Sequence, residues 1–87
     1  MRMYPKDINN HGQVIGYSND CQILLYRNGV ISNLGTLDLE SPSPEAINDQ
    51  GQITGVGSIA RVKHTFLLTP VSLSPPQSLR IQDYIKY

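Results

Sequence analysis

The chain has few of the residues that build metal, disulfide or thiol sites. Its 87 residues include one cysteine, two histidines and no tryptophan. Cys21 cannot form an intrachain disulfide, and it has no second cysteine with which to hold zinc. Seven basic and seven acidic side chains give no net charge. This balance argues against a nucleic-acid partner, because phosphate backbones are bound by basic surfaces.

Long apolar runs are also missing. No stretch approaches the ~20 residues that cross a bilayer as a helix, and the first residues lack the basic region and apolar run of a signal peptide. We therefore predict neither a membrane partner nor a signal peptide in this chain. Leu, Ile, Val and Phe nevertheless supply 24 of the 87 residues, which suffices for one small folded domain with a modest core.

Two segments of the chain are similar to each other, and their equivalent residues lie 39 positions apart. Residues 8–16 read INNHGQVIG and residues 47–55 read INDQGQITG. Five of the nine positions are identical, and upstream Pro5 aligns with Pro44. Downstream, residues 24–26 align with residues 66–68 after a three-residue insertion in the second copy. The chain is therefore interpreted as two copies of one short repeat.

The repeated residues predict hairpin turns. In each copy an asparagine stands three positions before a glycine, which is typical of a type I turn followed by a bulge. The Asn-Gly pair at 28–29 predicts a second, type I′ hairpin. The residues assigned to structural turns are Asn9, Gly12, Asn28, Gly29, Asn48 and Gly51.

Alternation along the strands predicts which face is packed. Val14 and Gly16 in the first copy, with Ile53 and Gly55 in the second, are expected to face the core, and the two glycines are expected to admit a neighbouring sheet. The segment at residues 41–44, Ser-Pro-Ser-Pro, is expected to form a loop.

The combined motif resembles the HAF repeat of bacterial proteins. The family pattern I-N-x-x-G-Q-V-x-G-x-S is matched by residues 8–18, and residues 26–29 and 33–37 match the elements that follow. The triplet that gives the repeat its name stands as His64-Thr65-Phe66. The resemblance implies a β-propeller-like fold and an extracellular setting, and it implies no known activity.

These observations predict an all-β fold of two tandem four-stranded antiparallel meander units, each like a propeller blade. The first copy would span residues 1–40 and the second, incomplete copy residues 41–71. Residues 72–87 would form a Pro-rich linker and a C-terminal strand or short helix. Because two units leave sheet edges open, three arrangements remain: self-assembly into a ring, the end of a longer protein, or a small sandwich completed by the C-terminal segment.

Candidate chemistry is sparse. Residues 7–12 resemble a calcium loop only weakly, because the second copy has Ala46 in place of Asp7, so no metal and no cofactor are predicted. Tyrosines and amides could bind a sugar by ring stacking and hydrogen bonding to hydroxyls, and residues 61–64 form the only basic cluster, at the end of an inserted loop. The candidate binding residues are Tyr17, Gln13, Gln52, Arg61 and His64.

The sequence thus favours a non-catalytic module that binds a carbohydrate or a protein surface, or that self-associates. One alternative is a small hydrolase or metal-dependent enzyme that uses His11, Asp20 and Cys21, although no spacing connects these residues. A second alternative is a degenerate propeller fragment whose only property is folding.

Overall fold

A computed structural model describes residues 2–70 and the backbone of residues 84–86. The fold is all-β, and it consists of two antiparallel sheets that do not close into a barrel. The first sheet contains β1 (Tyr4–Ile8), β2 (Val14–Tyr17), β3 (Ile23–Arg27) and β4 (Val30–Gly35) in that order. The second contains β5 (Glu40–Ile47), β6 (Ile53–Ile59), β7 (Val62–Pro70) and, at its edge, β8 (Tyr84–Lys86).

The two sheets use the same register in their first two strands. In the first sheet Pro5 pairs with Gly16 and Asp7 with Ile15, so that the residue between Pro5 and Asp7 is bulged. The second sheet has the same irregularity at the equivalent place, between Pro44 and Ala46. The sequence similarity therefore corresponds to a similarity of backbone pairing that includes a β-bulge.

The Ser-Pro-Ser-Pro segment is part of β5, so the prediction of a loop there was wrong. Pro42 and Pro44 are both buried within the strand. Proline cannot donate a hydrogen bond to a sheet, but β5 is an edge strand that pairs with β6 alone within its sheet, and register shifts occur beside both prolines. An edge strand with bulges tolerates the missing donors.

The three inserted residues of the second copy lengthen the hairpin formed by β6 and β7. The loop predicted at this insertion, which would end at residues 61–64, is therefore not formed. β6 and β7 stay paired as far as Ile59 and Val62. The turn between them is Ala60-Arg61, and both residues have positive φ, +49° and +66°. Positive φ at both central residues is the geometry of a type I′ hairpin turn, which the sequence signalled only at Asn28-Gly29. Asn28 and Gly29 have φ of +52° and +83°.

The core lies between the two sheets, and the sheets contribute opposite faces of their equivalent strands. In the first sheet Ile15 is fully buried in the core, whereas Val14 points away from it and is half-buried. In the second sheet Ile53, the equivalent of Val14, is fully buried, and Thr54, the equivalent of Ile15, is exposed. The predicted packed face is therefore right for the second copy and wrong for the first.

This alternation means that the sheets stack head to tail, with the front of one against the back of the next. A sandwich related by a two-fold axis would instead bring equivalent faces together. The sheets approach each other mainly through β5, which contacts β1, β2 and β3. The core residues between the sheets are Ile15, Ile23, Leu25 and Leu34 of the first sheet, Leu37 of the connection, and Ile47, Ile53, Phe66 and Leu68 of the second sheet. Leu24 is also fully buried, on the opposite face of the first sheet, where it pairs with Gly16 and Asn33.

Gly16 and Gly55 admit the bulged strand of their own sheet, not a neighbouring sheet as predicted. A Cβ built on Gly16 would overlap the carbonyl oxygen of Tyr4 and would lie 3.0 Å from Cα of Pro5. A Cβ on Gly55 would overlap the carbonyl oxygen of Ser43 and the Phe66 ring. Glycine at these positions is what lets each bulged edge strand bend over its sheet.

We therefore expect Gly16→Ala and Gly55→Ala each to lower the free energy of unfolding by about 3 kcal/mol, because the added methyl group would collide with backbone that cannot easily move. Gly12→Ala is the matched control. Its Cβ would meet nothing within 4 Å, so only the positive φ of +74° would cost stability, about 1 kcal/mol. Urea denaturation of the three variants measures the difference. Equal losses at Gly12 and Gly16 would show that the bulged strands do not press on these glycines.

Candidate functional site

The two Asn-led turns lie side by side and are hydrogen-bonded to each other. Within each turn the asparagine Oδ1 accepts two backbone N–H groups, those of His11 and Gln13 in the first turn. Asn9 Nδ2 also donates to the carbonyl oxygen of Asn48 at 2.9 Å. The first asparagine therefore shapes its own turn and joins it to the second.

A second pair of residues strengthens this junction. Asp49 accepts from the backbone N–H of Asn10 at 2.8 Å and from Asn10 Nδ2 at 2.7 Å. These bonds favour the charged carboxylate, and the Asn10 N–H, followed by its side-chain amide, lowers the pKa of Asp49 below its ordinary value. The carboxylate lies at the surface, so solvent screens its charge.

Asp7 joins the first sheet to the second at the start of the turns. Its Oδ2 accepts from the backbone N–H of Ile47 at 2.9 Å, and this bond is partly buried. The two copies differ at this position, because the residue equivalent to Asp7 in the second copy is Ala46. Asp7 is also the first residue of the segment at residues 7–12 that weakly resembles a calcium loop. In the structure its carboxylate binds the neighbouring sheet.

Two of the predicted binding residues are occupied by the turns. Gln13 Oε1 accepts from Asn9 Nδ2 at 2.7 Å. Gln52 Oε1 accepts from Asn48 Nδ2 at 2.9 Å, and Gln52 Nε2 donates to Thr69 Oγ1 at 3.4 Å. Their repetition in the sequence reflects this shared role in closing the turn.

The other predicted binding residues are scattered. The Tyr17 ring stacks on Tyr4, with 5.3 Å between ring centroids and 26° between ring planes, so one of its faces is already used. Arg61 is exposed in the β6–β7 turn, and its backbone N–H donates to Glu40 Oε1 at 3.1 Å. His64 is exposed on β7 beside a small groove that Leu37, Leu39 and Ile59 also line. The structure does not bring Tyr17, Arg61 and His64 into one described pocket.

The three residues of the enzyme alternative lie at opposite ends of one strand. His11 is in the turn before β2, and Asp20 and the exposed Cys21 are in the turn after it. The four residues of β2 separate these turns by roughly 13 Å at the usual rise of a strand. Among the residues that the structure describes, no group of three His, Cys, Asp or Glu side chains could hold a metal ion.

The outward faces of the two sheets differ in character in the described part of the chain. The first sheet exposes large apolar side chains, among them Ile8, Tyr26 and Ile31. The second presents a shallow groove lined by Thr54, Val56, Thr65 and Leu67, among others. No signal in the sequence indicates this difference directly, because it depends on which face of each copy enters the core.

No protein-family model, no curated protein and no solved structure matches this chain. The HAF resemblance is therefore still an expectation. In the described part of the chain, no helix has the length and apolar character that crossing a membrane requires.

The junction of the turns should depend on pH through Asp49. Because its pKa in the folded protein is lowered, the stabilisation by Asp49 is present at neutral pH. It is lost as the pH falls below about 4, through the pKa of the folded state. We expect the difference in melting temperature between the wild type and Asp49→Asn to shrink between pH 5 and pH 2.5. A difference that stays constant over this range would show that the carboxylate contributes nothing as an anion.

Asp7→Ala should lower the free energy of unfolding by about 1–3 kcal/mol, because it leaves the partly buried N–H of Ile47 without its acceptor. Glu45→Ala is a suitable control, since Glu45 is an exposed carboxylate on β5. Thermal and urea unfolding would measure both variants. Equal effects of the two substitutions would contradict a role for Asp7 in joining the sheets.

Proposed function

We propose that the chain is a non-catalytic repeat module that acts by self-association through the sheet surfaces that its own two copies leave open. The observation that carries this proposal is the head-to-tail stacking of the sheets. Such stacking uses one face of each sheet, and on the opposite faces Ile8, Tyr26 and Ile31 of the first sheet and Thr54 and Thr65 of the second remain exposed. A contact of this kind can be repeated by another copy, either as a closed ring or as an open chain.

The sheet edges support the same proposal. β1 and β5 are edge strands with a proline and a bulge, two features that prevent the addition of further strands. β4 is also an edge strand of its sheet, and its six residues, VISNLG, include neither proline nor charge. The absence of net charge also removes long-range repulsion between copies.

The enzyme alternative lacks a comparable observation. A catalytic cysteine or histidine needs its partner within hydrogen-bond reach, and the β2 strand separates His11 from Cys21. A sugar-binding role is also less well supported, since Gln13, Gln52 and Tyr17 already have partners within the chain. His11→Ala and Cys21→Ser are therefore expected to leave the association unchanged.

The mass of the particle in solution tests the proposal. At tens of micromolar, we expect light scattering coupled to size exclusion to show a discrete homo-oligomer, a dimer or trimer of the 9.7 kDa chain. A single species of one chain's mass at these concentrations would contradict the proposal. Stoichiometric bound metal, or a Cys21 thiol that reacts rapidly at neutral pH, would favour the enzyme alternative.

A further inference from the structure

Four apolar side chains form a continuous row across the outward face of the first sheet. Ile8 pairs with Val14, Val14 with Tyr26, and Tyr26 with Ile31, so the row crosses all four strands. Ile8, Tyr26 and Ile31 are exposed to 62%, 38% and 41%, and Val14 is half-buried. We call these four residues the apolar row. It contains no charged group, and contiguous apolar surface of this kind commonly marks a contact site.

The second sheet has the same row at the equivalent positions, and there it is buried. Ile47 pairs with Ile53, and Ile53 with Leu68. These residues are exposed to 5%, 0% and 0%, because they pack against the inner face of the first sheet. The chain therefore uses one copy of this row as an interface, and in the other copy Ile8, Tyr26 and Ile31 remain exposed.

The equivalence of the two copies also indicates which surface fits the open row. Inside the chain, the buried row meets the face of the first sheet that carries Ile15, Ile23 and Leu25. The equivalent face of the second sheet carries Thr54, Thr65 and Leu67, and it is the outward face with the shallow groove. We infer that the apolar row binds this outward face of the second sheet in another copy of the chain.

The hydrogen bond that joins the two turns inside the chain could be repeated between copies. Asn48 O accepts from Gly51 N and from Asn9 Nδ2, whereas Asn9 O accepts from Gly12 N within the described residues. A neighbouring copy could donate its Asn48 Nδ2 to Asn9 O, which would repeat the bond inside the chain.

The contact between copies would have one hydrogen bond fewer than the contact inside the chain. Inside the chain Asp7 accepts from the backbone N–H of Ile47, and the residue equivalent to Asp7 in the second sheet is Ala46, which has no acceptor on its side chain. The contact between copies would also be more polar, with Thr54 in the place of Ile15, so we expect reversible association.

This inference rests on the proposed function and specifies its surface and partner. It is tested with two variants that block one surface each. Tyr26→Lys with Ile31→Lys places charge in the apolar row. Thr54→Lys with Thr65→Lys places charge on the outward face of the second sheet, where both threonines are exposed. Val62→Lys is the control, because Val62 is a 59% exposed apolar residue at the end of the β6–β7 hairpin.

Each blocked variant alone should be a folded monomer, with an apparent dissociation constant raised ~100-fold or more, whereas the control should associate like the wild type. An equimolar mixture of the two blocked variants should form a 1:1 dimer, since each supplies the surface that the other lacks. Sedimentation velocity on the separate and mixed proteins measures this, and circular dichroism verifies that every variant is folded.

The opposing results are separable. A wild type that is monomeric contradicts the proposed function itself. An oligomeric wild type whose association survives lysine in the apolar row contradicts only the inference, and it would indicate pairing through the β4 edge. Association that survives in the Thr54 and Thr65 variant but not in the Tyr26 and Ile31 variant, without formation of a mixed dimer, would indicate two apolar rows facing each other. Each of these results overturns the head-to-tail contact between copies.

Discussion

The rest of the structure depends on the side-by-side pairing of the two Asn-led turns. Each turn closes itself through the same asparagine and glutamine, and Asn9, Asn10 and Asp7 then connect the first sheet to the second. Because equivalent turns are neighbours, the sheets are related by a step along a stack. That step is why Ile15 in one sheet meets Ile53 in the other, and why equivalent strands bury opposite faces.

The same relation explains why the chain has an unequal surface. A stack of two has two ends, and an end unit needs a polar outer face to remain soluble. The second sheet meets this need in part, since Thr54 and Thr65 stand where the first sheet has Ile15 and Ile23. In the first sheet, Ile8, Tyr26 and Ile31 of the apolar row remain exposed. The proposed self-association would use this apolar surface.

The sequence was sufficient for the all-β fold and for the turns at Asn28-Gly29 and at the two I-N-x-x-G segments, since these segments have local causes that need no tertiary information. It did not signal the turn at Ala60-Arg61. It was not sufficient for the packed face of the first copy. Alternation shows that Val14 and Ile15 face opposite ways, but both are apolar, and only the second copy, with Thr54, distinguishes the two sides. The prediction for the first copy assumed that both copies bury equivalent faces. Head-to-tail stacking instead buries opposite faces, so that Ile15 and not Val14 enters the core.

The loop predicted at residues 41–44 was wrong for a related reason, because proline suggests a loop unless the strand is known to be a bulged edge. The candidate binding residues show the limit for function. Gln13 and Gln52 are repeated because the turns use them, so repetition indicated a structural role and not a ligand. The C-terminal prediction for residues 72–87 falls mostly outside the described residues, and only Tyr84–Lys86 is placed, as a strand beside β7.

The most direct test of the head-to-tail stack is a methyl NOESY spectrum of the chain at a concentration where it is monomeric. Stacking of opposite faces predicts contacts between the Ile15 and Leu25 methyl groups and those of Ile53 and Leu68, with none from Val14 to the second sheet. Contacts from Val14 to Ile53, without any from Ile15, would show that equivalent faces meet and would contradict the account.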